Sequence, residues 1–431
     1  MRIDLISEHA SPLAAIGGVD SGGQNVHVAQ LAQALGRRGH HVTVHTRRDS
    51  SELPERVRTA PGVTVEHVRA GPAVPMPKDD LLVHMPEFGE QLARRWVQQP
   101  PDIVHAHFWM SGLAAQHGVR SIGSTGIPVV QTFHALGIVK RRHQGAADPS
   151  PPSRLSLEHG LARDAALVIA TCSDEVTELA ALDVPTHRVA VVPCGVDLDR
   201  FSPHGPRASR DRRYRILSLG RLVPRKGVET TIRALIGVPS AELIIAGGGD
   251  VTTEAERARL AGIAQQCGVS ERVRLIGHIP REDVPALLRS ADVVVSVPWY
   301  EPFGMVPLEA MACGVPVVAS AVGGHLDTVV EGHTGALVPP RDAGALAQRL
   351  RELLADPARL AAIGSAAAVR ARTRYGWDRI AGDTEQLYRR VLADVPDSAV
   401  NQTAGNQTAG NQTAGNQTEE DPTATPAGGR P

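Results

Sequence analysis

Short β-branched runs alternate along this chain with amphipathic helical stretches, and the alternation stops once and starts again. Residues 2–7, 41–46, 102–105, 128–133, 166–170 and 189–193 have the length and residue types of strands. Between them lie segments such as 25–38, where Val28, Leu31, Ala32 and Leu35 share one helical face. Strand–helix alternation predicts a parallel sheet covered on both sides. A stretch rich in Pro, Gly and charge (195–213) interrupts the pattern, which resumes at 215–219, 242–246, 273–276, 293–297 and 315–319. A chain of 431 residues is too long for one core. The expectation is two doubly wound α/β domains joined near residue 200. Ligands of such sheets sit at the carboxyl ends of the strands, so the site is expected in the cleft between the domains.

Charge and cysteine usage narrow the class. The 45 Lys+Arg against 46 Asp+Glu leave a formal charge of −1, which excludes a chain basic all over for nucleic acid. No 18-residue apolar run occurs, and Met1-Arg2-Ile3-Asp4 lacks the shape of a signal peptide, so the expectation is a cytoplasmic protein without a transmembrane segment. Cys172, Cys194, Cys267 and Cys313 stand far apart with no C-x-x-C, which predicts buried, reduced thiols and no zinc site. Residues 401–418 read NQTAG three times and then NQT; lacking large apolar side chains, the 396–431 tail is expected to be disordered. Its sequons at Asn401, Asn406, Asn411 and Asn416 are not expected to be used.

Several strand ends carry chemistry. The loop Gly17-Gly18-Val19-Asp20-Ser21-Gly22-Gly23-Gln24 precedes a helix, and glycines before a helix N-terminus suit an anion; a plain turn fits equally. Gly247-Gly248-Gly249-Asp250 is read as a tight turn. Gly220-Arg221-Leu222-Val223-Pro224-Arg225-Lys226-Gly227 concentrates cations after the first strand of the second domain, as diphosphate binding requires. Glu301 and Glu309 stand eight apart around Gly304, with a helix expected from about Met305. Carboxylates there could accept hydrogen bonds from vicinal hydroxyls; pairing with arginines is the alternative. His105, His107 and His134 flank strand ends, where a histidine can meet a hydroxyl or move a proton. Asp197-Leu198-Asp199 lies in the linker and is set aside as a metal site.

Together these segments resemble the retaining glycosyltransferases of family 4, the group 1 glycosyltransferases with the two-domain GT-B fold, over about residues 1–392. The resemblance rests on Gly22-Gly23, Thr132-Phe133-His134, Gly220-Arg221 with Lys226-Gly227, and Glu301 and Glu309 within EPFGMVPLEAMACGVPVVAS. Gly-Gly-Gln-Asn-Val and His-Ala-His-Phe-Trp-Met-Ser-Gly look most like the D-inositol-3-phosphate glycosyltransferase and sucrose-phosphate synthase branch. It implies an acceptor domain over 1–198 with a returning helix at 377–392, and a donor domain over 199–376. It implies a nucleoside diphosphate sugar as donor substrate, with uridine as the base and glucose or N-acetylglucosamine as the sugar, and no metal or separate cofactor. Arg221 and Lys226 would hold the diphosphate, Glu309 the ribose, and Glu301 and His134 the transferred sugar. Gly23 and the backbone of Gly304, Met305 and Val306 would approach phosphate or sugar, with Ile279 near the base.

For the acceptor, Asn25, Lys78 and Arg154 match the inositol-phosphate branch, but Phe108 and Ala135 replace its tyrosine and threonine. Lys140 matches a phosphate-binding lysine of the sucrose-phosphate branch. Only three of the 45 basic residues are lysine, and all three fall at these anion positions. The function so implied is transfer to a small hydroxyl acceptor, inositol-phosphate-like, sugar-phosphate-like or a specialised metabolite. An epimerase of the same fold and a non-catalytic sugar-nucleotide binder are the alternatives.

Overall fold

The computed structural model describes residues 1–14, 22–123, 126–248 and 251–394. Residues 17–21 of the first glycine loop, Gly249-Asp250, and the 396–431 tail with its sequons lie outside the described residues.

Eight strands form the first sheet: β1 (Arg2–Ile6), β2 (His41–Arg47), β3 (Arg56–Ala60), β4 (Val63–Val68), β5 (Ile103–His107), β6 (Val129–Thr132), β7 (Leu167–Ala170) and β8 (Val189–Val191). Their order is β3-β4-β2-β1-β5-β6-β7-β8, parallel except for the β3–β4 pair. The second sheet holds β9 (Tyr214–Leu219), β10 (Ala241–Ala246), β11 (Val273–Gly277), β12 (Val293–Ser296), β13 (Val317–Ser320) and β14 (Gly335–Val338), in the order β11-β10-β9-β12-β13-β14. Both sheets therefore reverse direction at their first strand, which opens a crevice at its carboxyl end.

Three strands were not expected. β3 is an exposed edge whose Arg-Val-Arg-Thr-Ala looks like a loop in isolation, and only its antiparallel pairing to β4 makes it a strand. In β4, Val63 and Val65 are buried while Thr64 between them is not. β14 is short and begins with glycine, so it offers little β-branched signal. Cys172, Cys194 and Cys313 are buried as expected, but Cys267 is only half-buried. Among the described residues no helix is long and apolar enough to cross a membrane.

The chain passes between the lobes twice, and the two passages touch. The Val196 N–H donates to the Tyr375 carbonyl at 2.7 Å. A Cβ on Gly195 would lie 2.5 Å from the Trp377 ring, so this crossing requires a bare backbone. The helix Trp377–Ala393 then returns to the first lobe. Its Trp377, Ile380, Ala381, Tyr388 and Val391 share a core with Val28, Leu31 and Leu35 of the helix Gly23–Arg37. Arg37–Asp378 (2.8 Å) and Arg38–Glu385 (2.6 Å) ion pairs rim that contact. Burying these apolar side chains, each worth ~1.5–3 kcal/mol, fastens the chain's end to the lobe in which it began.

Candidate active site

The cation-rich loop leaves β9 with Gly220 and ends at Gly227, whose φ of +72° only glycine adopts easily. The turn sets Lys226 against Glu301 at the end of the loop after β12, and the two form an ion pair. Burial opposes ionisation of Glu301, but Lys226, His325 and Arg225 outweigh it and hold the carboxyl down at about 2. Burial pulls the Lys226 ammonium below the ordinary lysine value, with Glu301 opposing. Arg225 stacks over the Tyr300 ring at 5.3 Å. Arg221 stays exposed on the same loop.

Gly304, at φ +72°, caps the helix Met305–Ala312, so the Met305 and Val306 amides form its first turn. Opposite, Gly23 opens the helix Gly23–Arg37; a Cβ there would lie 3.5 Å from Met305 Cε and 3.6 Å from Phe303 Cδ2. Two helix N-termini thus face each other across the cleft, each with partial positive charge. Glu309, one turn into its helix, is buried and paired with Arg281 at 2.6 Å. Burial raises its pKa against the pull of Arg281. Ile279 packs half-buried on the second lobe's core.

His134 has φ +62°, an unusual and strained conformation for a non-glycine residue. Its ring is buried beside Phe303 (5.0 Å between centroids) and His27 (5.1 Å). Nε2 meets His107 Nδ1 at 2.9 Å, while Nδ1 has no partner. Burial first, then the surrounding histidines, keeps this imidazole neutral. It therefore retains one ring nitrogen for a hydroxyl.

The acceptor-side residues divide. Asn25 accepts from the Gly22 N–H (3.0 Å) and donates to the Ser11 carbonyl (2.9 Å), so it organises its own loop. It also lines a cavity of about 240 Å³ with Glu309 and Arg281. Lys140 and Arg154 converge on Ser150, at 2.8 and 3.1 Å. Phe108 lies under the Arg154 guanidinium at 5.2 Å. Each of the three cations faces a carboxylate: Lys78 with Asp79 (3.6 Å), Lys140 with Asp148 (2.8 Å) and Arg154 with Glu158 (2.7 Å). Arg154 is 1% exposed and also donates to the Ala135 carbonyl (2.5 Å), so it supports the wall more than it reaches into the cleft.

Asp197 accepts from the backbone N–H of Asp199 and Arg200 in a local turn, and no metal-holding cluster occurs among the described residues. Sequence reasoning missed Arg281, His27, and Asp174-Glu175 with Tyr300 beside Glu301. The last group was reachable, because Asp174 and Glu175 follow β7 at its carboxyl end.

Comparison with known proteins supports the two-lobe α/β architecture. Residues 202–370 match the family model described as "Glycosyl transferases group 1", and residues 21–200 match "Glycosyltransferase Family 4". The chain is 35% identical to D-inositol 3-phosphate glycosyltransferase 2 of Catenulispora acidiphila, over 91% of this chain and 96% of that protein. It is 36% identical to D-inositol 3-phosphate glycosyltransferase of Mycolicibacterium smegmatis, over 91% of this chain and 92% of that one. Among solved structures, sucrose-phosphate synthase of Thermosynechococcus elongatus gives a TM-score of 0.83 at 33% identity, covering 91% and 99% of the two chains. HepE of Anabaena, solved with UDP-glucose, shares the fold at a TM-score of 0.69 and 21% identity, covering 90% and 99%.

Proposed function

The chain belongs to the group 1 glycosyltransferases, enzymes that use a nucleotide-sugar donor, and on that premise we propose that it transfers a sugar from a UDP-sugar, such as UDP-glucose or UDP-N-acetylglucosamine, to a small hydroxyl acceptor with retention at the anomeric carbon. The observation that carries the reading is the Lys226–Glu301 pair, set beside the N-terminus of the helix Met305–Ala312 where Gly23 closes from the other lobe. The likeness to the inositol-phosphate and sucrose-phosphate branch supports uridine as the base.

The bond between the anomeric carbon and the diphosphate oxygen breaks, and its electron pair stays on the diphosphate. Arg221, Lys226 and the two helix N-termini offset that charge where it develops. The acceptor oxygen bonds to the anomeric carbon from the same face, and its proton passes to the departing phosphate oxygen. Glu301 and His134 Nδ1 would hold hydroxyls of the transferred sugar. Glu309 would exchange Arg281 for the ribose. Closure of the lobes limits attack by water.

The test incubates the protein with each UDP-sugar and a panel of small polyols, following UDP release and the product's anomeric configuration by NMR. Lys226→Ala should slow transfer by about two orders of magnitude, the usual effect of removing one group that stabilises developing charge. Unchanged turnover would overturn the assignment. Epimerised sugar from donor alone would favour an epimerase instead.

A further inference from the structure

Beside Glu301 a cavity of about 210 Å³ opens between the lobes. That is smaller than the ~300–1,000 Å³ of drug-sized ligand sites and is on the scale of one small ring. From the first lobe, Val139, Arg142 and His143 line it, at the spacing that shares one helix face. Lys140 on the same helix turns instead to Asp148. Tyr300, Glu301 and Pro302 line it from the second lobe, so a molecule here adjoins the residue placed on the transferred sugar.

The wall is acidic. Asp174, Glu175, Glu178 and Glu301 face it, against Arg142 and His143. Arg142 binds Glu178 through two contacts, at 2.5 and 2.8 Å, and Lys226 binds Glu301. Burial and the nearby Arg142 hold His143 below its usual value, so it brings no charge at neutral pH. Among the described residues, Asp174 and Glu175 have no ion-pair partner.

Glu175 gives the second and independent observation. It is 7% exposed. Its Oε2 accepts from the Thr171 N–H (2.8 Å) and hydroxyl (2.9 Å), while Oε1 has no hydrogen-bond partner. Burial pushes its carboxyl up to about 7, and burial with Glu178 raises Asp174 as well. A buried carboxylate oxygen without a partner is costly, and a cation bound there would relieve it and the half-buried Asp174 beside it. The phosphate-matching side of the cleft shows the opposite condition, since Lys78, Lys140 and Arg154 already face Asp79, Asp148 and Glu158.

We propose that this cavity binds a protonated amine of the acceptor, which is therefore an amino sugar or an amino-bearing cyclic polyol, with Glu175 and Asp174 holding the ammonium. The inference rests on the transferase reading and names its acceptor class. The experiment offers the full-length protein and a UDP-sugar matched acceptor pairs, glucosamine against glucose and scyllo-inosamine against scyllo-inositol, with inositol 3-phosphate as the rival. Charge-assisted hydrogen bonds of the usual strength predict an amine preference of ~10- to 100-fold in kcat/KM. Glu175→Gln, which keeps an oxygen for Thr171, and Asp174→Asn at its half-buried site should each collapse that preference toward unity. Equal use of amine and hydroxyl partners, better use of inositol 3-phosphate, or an undiminished preference in both variants overturns the proposal. UDP binding by the unaltered protein, measured by calorimetry, tests the transferase reading separately. If UDP binds and the amine preference is absent, only the acceptor assignment fails.

Discussion

The Tyr388 hydroxyl lies 2.7 Å from Nδ1 of His105, joining the returning helix to the middle of the first sheet across 283 residues of sequence. The proton positions follow from the chain of bonds. Thr132 donates its hydroxyl to the Ile169 carbonyl (3.0 Å), so it must accept from His105 Nε2–H (2.9 Å), which leaves Nδ1 to accept from Tyr388. Tyr388→Phe strands that nitrogen in a dry interior. A loss of ~1–3 kcal/mol in stability is expected, the cost of one unsatisfied buried group. Urea unfolding of the full chain reads it, and an unmoved midpoint would contradict the bond.

Four histidine rings crowd the same region, His27, His105, His107 and His134, with centroids 4.1–5.5 Å apart. Burial lowers His27 to about 4 and His105 to about 3, and lowers His107 and His134 well below the usual value. In the unfolded chain these groups titrate near ~6.5. Below that pH the unfolded state binds more protons than the folded one, so stability falls as pH drops from about 6.5 toward the folded values. Each ring contributes a slope of up to ~1.4 kcal/mol per pH unit. Urea midpoints at pH 7.5 and 5.5 should therefore diverge sharply, and His107→Gln should narrow the gap. An equal gap in the variant would show that the cluster is not the cause.

The strand ends that carry this site were legible, because buried parallel strands are short, largely apolar runs, and β9 passes at once into Gly220 and Arg221. Gly227 and Gly304 stood out in the sequence as glycines within the cation loop and the glutamate motif; the structure adds that each takes a left-handed φ of +72° before a helix. What stayed hidden was whatever depends on a distant partner. Edge strand β3 exists through its pairing with β4. For Glu309 the sequence leaves pairing with an arginine open, and only the fold identifies Arg281 as the partner. The carboxylates opposite the expected phosphate cations, Asp79, Asp148 and Glu158, are instead close by in the sequence, and it is the backbone's path that turns them onto Lys78, Lys140 and Arg154.

Glu301 gives a second pH signature, centred lower than that of the histidines and overlapping its acid end. Its folded carboxyl sits at about 2 against ~4.3 for an ordinary glutamate. Its contribution to stability is complete above the unfolded value and is lost as pH falls from about 4.5 through 2. Glu301→Gln removes this dependence and leaves Lys226 without its carboxylate. The difference in stability between the two proteins should shrink steadily across that window. A constant difference would mean that the pair carries no charge.

Gly227→Ala tests the turn that presents Lys226. A Cβ there would stand 1.9 Å from the Val297 carbonyl oxygen, just past β12, at a φ that alone costs ~1–2 kcal/mol. The backbone must move, and the cation loop moves with it. UDP affinity should fall at least tenfold by calorimetry while the near-native far-UV spectrum persists. Unweakened UDP binding would place the diphosphate elsewhere.

Asp327 ties the lobes together at the start of the helix Ser173–Ala180. Its two carboxylate oxygens accept from the Ser173 N–H and hydroxyl, both at 2.6 Å, where the helix N-terminus favours negative charge. Arg370 and Tyr375 anchor the Asp327 carbonyl from the second lobe, at 2.6 and 3.1 Å. The contact is solvent-exposed on its Ser173 side, so about 1 kcal/mol is a fair scale for the clasp. Asp327→Ala should shift the lobes toward an open arrangement by about fivefold in population. Two readings should then move together: the scattering radius of gyration in the presence of UDP rises, and the share of donor lost to water rises relative to transfer. If neither changes while the variant remains folded, closure depends on the donor and on Gly23 meeting Met305, and the Ser173–Asp327 clasp has no part in it.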